Sequence, residues 1–491
     1  MTTDAPARPA AARPSPSPSP AVIAVAIGAV LAGAVAVWQP IAGIALAVVL
    51  LIGTLLRNVP VRRLAPVLVV LTAAAAIAGP NLAAPPAPWL FLFRILIVLL
   101  GLGLAGYLLM DGRLVLPAGL PRPAGLLAVW FAWTALSIGW ADDVVAALRW
   151  TLFLAMLGGL AIAIALVCRS PRRARILLWT LFGVFVLACL IAVAEVVTGL
   201  HLPTFRQGRE SRTGLIGVGS LFGNQNNFAT FLSLSLPYLL VLPIVYRDAR
   251  LKLLGFIGGG VALLFILATG SKSGLVAAGL VILGLLVLVG SDRRERGRLI
   301  VAGAVAGLAV LLVVPAILGG GPVKLDERTV TKFDFGILSQ QLETQEGSGG
   351  VRASLLSDGL GLVAETDGLG VGAGNAEGQV RSLANFPGVA NLHNWWLEVL
   401  VNGGIVGFAL YLVFYLTLLR GQVRAARRTQ DRFVRYLSLS GALALIGWIL
   451  GSIGPSTAIH FAPMWIVFGL SMGALVLWRR SRDQAVPDGP R

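Results

Sequence analysis

A helix crosses the apolar core of a bilayer in roughly 20 residues, and most of this chain consists of apolar runs near that length. They lie near 21–37, 41–56, 65–79, 89–110, 124–139, 150–168, 175–197, 228–246, 251–269, 274–290, 299–318, 395–419, 436–453 and 459–478. The runs are rich in Leu, Ala, Val and Gly and lack the period-two alternation of a membrane barrel, so helices are the natural reading. Only 12% of the 491 residues are charged and 57% are apolar, whereas soluble domains carry about 25% charge. A globule of this size could not coat itself with so few charges. The expectation is an all-α integral membrane protein of about 14 transmembrane helices, with 12 or 13 if 21–56 or 65–79 is re-entrant.

The basic residues set the orientation, because cytoplasmic loops hold an excess of Lys and Arg. With the N-terminus inside, 28 of the 39 Lys and Arg fall on inside segments, 10 fall outside, and Arg94 lies within a span. Both ends are therefore expected in the cytoplasm. The division that follows is a Pro/Ser/Ala-rich tail at 1–20, disordered and not a cleavable signal; helices at 21–197; a first outer loop at 198–227; helices at 228–318; a large outer loop at 319–394; helices at 395–478; and a tail at 479–491. The net charge of +17 is spread in short clusters between apolar runs and not on one face, which argues against a nucleic-acid partner. Membrane lipids are the expected surroundings. Cys168 and Cys189 imply neither a disulfide framework nor a metal site. In the large outer loop, 351–365 reads as a short amphipathic helix lying at the interface on Leu355, Leu356, Leu362 and Val363.

Cations kept outside against the positive-inside bias need a reason, and an anionic ligand supplies one. The first outer loop carries Arg206, Arg209 and Arg212; the second carries Lys324, Arg328, Lys332, Arg352 and Arg381. Lys272 stands in a tight T-G-S-K-S-G hairpin between two runs, where it is held at the membrane–water boundary. Arg212 precedes Asn224, Gln225, Asn226 and Asn227 at a helix start, where the amides either cap the helix or bind sugar or phosphate. His393, in N-L-H-N-W-W-L-E, binds phosphate if protonated, accepts a proton if neutral, or caps a helix beside a Trp395/Trp396 aromatic belt. Glu398, a turn and a half further on, needs a partner if buried, and Arg352 or Lys272 is a suitable one. Gly370, Gly372 and Gly374 form G-x-G-x-G, but no strand–turn–helix unit surrounds them, so a dinucleotide site is not expected. No Walker lysine motif or carboxylate cluster for Mg²⁺ is present.

G-V-G-A-G-N followed some twenty residues later by L-H-N-W-W-L-E-V-L-V-N-G-G-I-V-G resembles the outer-loop-to-helix block of the O-antigen ligase and O-antigen polymerase family. The T-G-S-K-S-G hairpin is similar to that family's T-x-S-R-G, and F-G-N-Q-N-N-F-A-T-F-L to its N-x-N-x-x-A-x-x-L. The likeness covers roughly 205–420. It implies a bacterial glycosyltransferase that works outside the cytoplasm without cofactor. The donor would be a glycan on undecaprenyl diphosphate, and the acceptor a hydroxyl of a second glycan or glycolipid. By position, Lys272 falls where the family has Arg, Arg352 on its loop arginine, and His393 on its histidine. The resemblance thus implies His393 as a catalytic residue and Arg352 and Lys272 on the diphosphate; position at the outer face adds Arg212 to the diphosphate set, Glu398 as a second candidate catalytic residue, and Asn226 and Asn394 as weaker substrate contacts. Ligase-type transfer is the first reading and polymerisation the second. A transporter of lipid-linked glycan is a third, and it would need charged or broken helices near the midplane, where only Arg94 and Glu195 come close.

Overall fold

The computed structural model describes residues 61–84, 87–111, 120–204, 218–289, 297, 347–383, 391–455 and 458–483. The chain forms two compact units. Pro66–Ile97 and Pro117–Arg491 make up the larger, which holds every feature discussed below; the other comprises Met1–Ala65 and Val98–Leu116, of which only helix ends are described. The helices, in order, are α1 (Val61–Ala78), α2 (Leu92–Asp111), α3 (Arg122–Leu136), α4 (Val144–Val167), α5 (Pro171–Thr198), α6 (Gln225–Leu240), the short α7 (Leu242–Val245), α8 (Ala249–Thr269), α9 (Lys272–Val289), α10 (Gly347–Glu365), α11 (Ala376–Leu383), α12 (Trp395–Arg428), α13 (Arg432–Gly451) and α14 (Ala462–Asp483). Ten of the described helices are long and apolar enough to cross a membrane, and α2 contributes a shorter apolar stretch, Leu92–Leu102. Each expected run inside the described residues is a helix. The runs at 21–37, 41–56 and 299–318 lie outside them. A two-stranded antiparallel hairpin, Ala83–Ala84 with Ala87–Phe91, departs from the all-α expectation.

Three helices form the centre. Some 78, 72 and 83% of the spanning residues of α6, α13 and α14 are buried, against 33–44% in the other spans. Small residues allow this closeness, as apolar helices in lipid pack by surface fit rather than by hydrophobic exclusion. A Cβ on Gly469 of α14 would meet the Ala161 carbonyl of α4 at 2.8 Å, and one on Gly274 of α9 would meet Ala229 of α6 at 2.8 Å. Beside the centre lies an aromatic cluster of Trp130, Trp395, Tyr411, Trp465 and Phe468, with the Trp395 indole donating to Tyr411 Oη at 2.8 Å. Trp395 is therefore core and not part of an aromatic belt; its ring has no exposure. Trp396 alone remains partly exposed, donating to the Ile449 carbonyl at 2.9 Å.

Contacts between loops of the larger unit sort them to two ends. The basic clusters gather at one: Arg480 donates to the Arg169 carbonyl at 2.8 Å, Arg479 to the Leu120 carbonyl at 3.1 Å, and Arg175 lies over the Phe433 ring. The starts of α4, α6, α9, α12 and α14 stand at the other end, with α10, α11 and the hairpin.

Candidate active site

At that second end, three helix starts adjoin one another. Asn224 caps α6, accepting from the Asn226 and Asn227 amides at 2.8 and 3.3 Å. Ser271 precedes α9 and accepts from the Gly274 amide at 3.3 Å. Asn394 caps α12, accepting from Trp396 and Leu397 at 3.1 and 3.4 Å. The turn after α13 ties them together. Ser452 accepts the Trp395 amide at 3.3 Å, and a Cβ on Gly454 would lie 2.5 Å from Ser273 Oγ and 2.9 Å from Thr230 Oγ1. With Gly274 packed on Ala229, Lys272 and Asn226 stand at neighbouring helix starts. Helix N-termini carry partial positive charge, and Lys272 stands at one of them with the start of α6 packed beside it. The asparagines serve two ends differently: Asn224 and Asn394 spend their side-chain oxygens on caps, whereas Asn226 is a residue that α6's cap holds in place.

Arg352 and His393 are brought together by packing. Leu355, one turn beyond Arg352, and Leu392, next to His393, are buried in one cluster with Leu362, Val371, Leu397 and Val401. The apolar face of α10 thus packs on α12 instead of lying on lipid, and Leu356, expected on that face, is exposed. The His393 backbone takes φ +49°, a left-handed conformation uncommon for a residue with a side chain, and its amide donates to Asn391 Oδ1 at 2.6 Å. Such backbone persists where surrounding contacts over-determine it, here the Asn391 bond on one side and the Asn394 cap on the other. Burial first, and the Arg352 charge second, hold the His393 imidazole down to about 4 from its ordinary 6.5. Without a bound anion the ring is therefore neutral at physiological pH, with one nitrogen left as an acceptor.

Glu398 has other partners than expected. It is buried on the first turn of α12, where its Oε2 accepts the Ile459 amide at 3.2 Å and its Oε1 lies 3.5 Å from Trp150 Nε1. Its recorded partners come from α4 and the 458–460 turn, and not from Arg352 or Lys272. Next to it, the G-V-G-A-G-N segment is a wedge of bare backbone. Gly370, Gly372 and Gly374 all have φ between +68° and +86°, and a Cβ on Gly372 would meet Ala141 Cα at 2.7 Å. The wedge enters α12 where that helix breaks at Gly404 (φ 66°, ψ −171°): Val371 donates to the Val401 carbonyl and Ile405 to that of Gly368. Asn375 Oδ1 accepts the Asp143 amide at 2.7 Å, and Asn402 Oδ1 accepts that of Ala376 at 3.2 Å. The glycines are there for close backbone approach.

Two anchoring residues had no sequence signal as such. Asn81 donates to the Leu221 carbonyl at 2.6 Å and accepts from Thr204 Oγ1 at 2.6 Å. Glu195, buried near the end of α5, accepts the Gly219 and Ser220 amides at 3.0 and 2.8 Å and has His201 Nδ1 3.3 Å away. Both residues fix the approach to α6. Glu195 is thus an anchor at the helix end and not a charge at the midplane. Arg206, Arg209, Arg212, Lys324, Arg328 and Lys332 lie outside the described residues, as does the Arg381 side chain. Among the described residues, no three His, Cys, Asp or Glu are grouped to hold a metal ion.

Residues 257–412 match the family model described as O-antigen ligase, and they contain Lys272, Arg352, His393 and Glu398. The chain is also 28% identical over 411 residues, 81% of each chain, to the teichuronic acid biosynthesis protein TuaE of Bacillus subtilis (strain 168). The matched segment begins inside α8 and ends inside α12. Asn226, Asn81 and Glu195 reach the same end of the bundle from outside it.

Proposed function

We propose that this multi-pass membrane protein is a glycosyltransferase of polysaccharide biosynthesis, working at the outer face of the plasma membrane on a glycan carried by undecaprenyl diphosphate. The observation that carries the reading is the packing of Arg352 beside a neutral His393, with Lys272 among the adjoining helix starts, at the end opposite the basic clusters. By the positive-inside rule the clustered end is cytoplasmic, which leaves this end outside. In the proposed reaction the acceptor hydroxyl attacks the anomeric carbon opposite the diphosphate, and the configuration inverts. The C–O bond to the carrier breaks and its electron pair leaves with undecaprenyl diphosphate. The hydroxyl proton passes to His393. Arg352 and Lys272 stabilise the charge that develops on the leaving oxygens, as preorganised cations do in water-poor sites. Arg212 is assigned to the same diphosphate by its expected place in the first outer loop, ahead of α6. Glu398 holds Ile459 and Trp150 in place beside the site, and its catalytic role is the weaker assignment.

Ligase-type transfer to a finished acceptor is the first reading, resting on the His-Asn block at the start of α12. Polymerisation, with a second carrier-linked glycan as acceptor, is the second reading; the likeness to a teichuronic acid biosynthesis protein over 81% of both chains fits either. The transporter reading loses ground because Glu195, one of the two charges it drew on, is partnered near a helix end. The test is purified protein with carrier-linked glycan, chelator present and no nucleotide added. Release of undecaprenyl diphosphate with one acceptor-linked product supports ligation, and a ladder of lengthening carrier-linked products supports polymerisation. No transfer without Mg²⁺ would overturn the metal-free mechanism.

A further inference from the structure

The end opposite the site holds two adjoining clefts that glycosyl transfer does not use. One, of about 570 Å³, lies between the loop after α7 and the turn before α13, and is lined by Tyr246, Arg247, Lys252, Gln430, Arg432 and Arg435. The other, of about 490 Å³, shares Tyr246 and Arg432 with it. Its remaining walls are Arg175, Asp431, Tyr436 and apolar side chains of α5, α7, α8 and α13, among them Leu178, Trp179, Phe182 and Leu251. Five cations, Arg175, Arg247, Lys252, Arg432 and Arg435, thus line the pair. The nearby carboxylates are Asp248 and Asp431, and both are committed to helix caps: Asp248 accepts from the Arg250 amide at 2.7 Å, Asp431 from Phe433 and Val434 at 2.8 and 2.9 Å. The Trp179 indole is 55% exposed beside the apolar cleft, the position that suits a tryptophan at a membrane interface.

We propose that these clefts bind one anionic phospholipid of the surrounding bilayer, with its phosphodiester among Arg247, Lys252, Arg432 and Arg435 and an acyl chain along Leu178, Phe182 and Leu251. Charge selects the headgroup, because guanidinium forks match phosphate oxygens and cytoplasmic-side basic pockets between membrane helices suit such headgroups. The continuous apolar cleft selects a lipid over free phosphate. Position selects a bilayer lipid over the sugar carrier, whose diphosphate is assigned to the other end. Burial pushes the Tyr246 phenol up to about 12, so it remains a hydrogen-bond donor where the clefts meet.

The test uses the full-length protein, stripped of lipid in detergent and titrated with phosphatidylglycerol or phosphatidylcholine under native mass spectrometry. One phosphatidylglycerol is expected to stay bound at least tenfold more than phosphatidylcholine. Arg247→Gln and Arg432→Gln, both at exposed residues, are each expected to reduce that preference several-fold, and Arg424→Gln, at the same end but outside both clefts, to leave it unchanged. Equal retention of the two lipids overturns the proposal. So does an equal loss in Arg424→Gln, which would mean diffuse surface charge. Displacement by inorganic phosphate alone would remove the acyl-chain assignment, and tighter retention of undecaprenyl phosphate at these residues would reassign the clefts to the carrier. None of these readouts depends on transferase activity.

Discussion

Lowering the pH is expected to leave His393 uncharged until far into the acid range. The imidazole is held at about 4 against an ordinary 6.5, so at pH 6.5 roughly 0.3% of the folded protein carries the proton instead of half. The gap corresponds to about 3 kcal/mol of preference for the neutral ring. The sign for stability follows from linkage: between 6.5 and about 4 the unfolded chain binds a proton that the folded chain refuses, so stability falls as the pH falls through that window and levels off below it. Thermal unfolding in detergent, followed from pH 7.5 to 4, should show this loss, and His393→Gln should flatten it. For catalysis, kcat/KM should be level through 6.5 and decline only near 4, because that ratio reports the free enzyme. Bound diphosphate places negative charge beside the ring, so the acid limb of kcat should lie above that of kcat/KM. Arg352→Ala removes the smaller of the two causes and should move the kcat/KM limb upward without reaching 6.5, since burial persists. A wild-type kcat/KM limb at 6.5 that disappears in His393→Gln would refute the reasoning, because it would mean a solvated ring.

Arg352→Ala should cost about 10²–10³ in transfer rate, the range seen when one preorganised donor to a developing oxyanion is lost; Lys272→Arg should retain most activity and Lys272→Ala should not, measured as product per turnover at normal expression. Gly372→Ala should lower the thermal transition sharply, since φ +86° costs a side chain about 1–2 kcal/mol before its Cβ reaches Ala141, while Gly378→Ala, in open space on α11, should be neutral or stabilising. Glu195→Ala leaves the Gly219 and Ser220 amides without their acceptor, at about 1–3 kcal/mol each; hydrogen exchange at the start of α6 should quicken, and unchanged exchange would show that another group holds that turn. Reporter fusions after Arg428 and Arg482 should read as cytoplasmic and one near Gly349 as external; a cytoplasmic reading at Gly349 would put the candidate site on the wrong face.

The sequence by itself determined the membrane class, the helices within the described residues and the His-Asn block, and each for a local reason. Apolar length is a property of consecutive residues, and a spanning helix satisfies its backbone within itself. The same locality let the TGSKSG and NLHNWW segments mark helix starts. Tertiary structure decided the rest. The sequence pattern gives Glu398 a cation and leaves Trp395 at the lipid interface; packing gives Glu398 the Ile459 amide and makes Trp395 core. Leu356 shares its heptad with Leu355 and Leu362, but only contact with α12 decides which of them is covered. Asn81 and Glu195 carry no motif, because their role is to reach backbone groups remote in sequence or across a turn. The state of His393 is likewise invisible in sequence: titration depends on burial and on a charge that arrives from α10, and both exist only once α10 packs against α12.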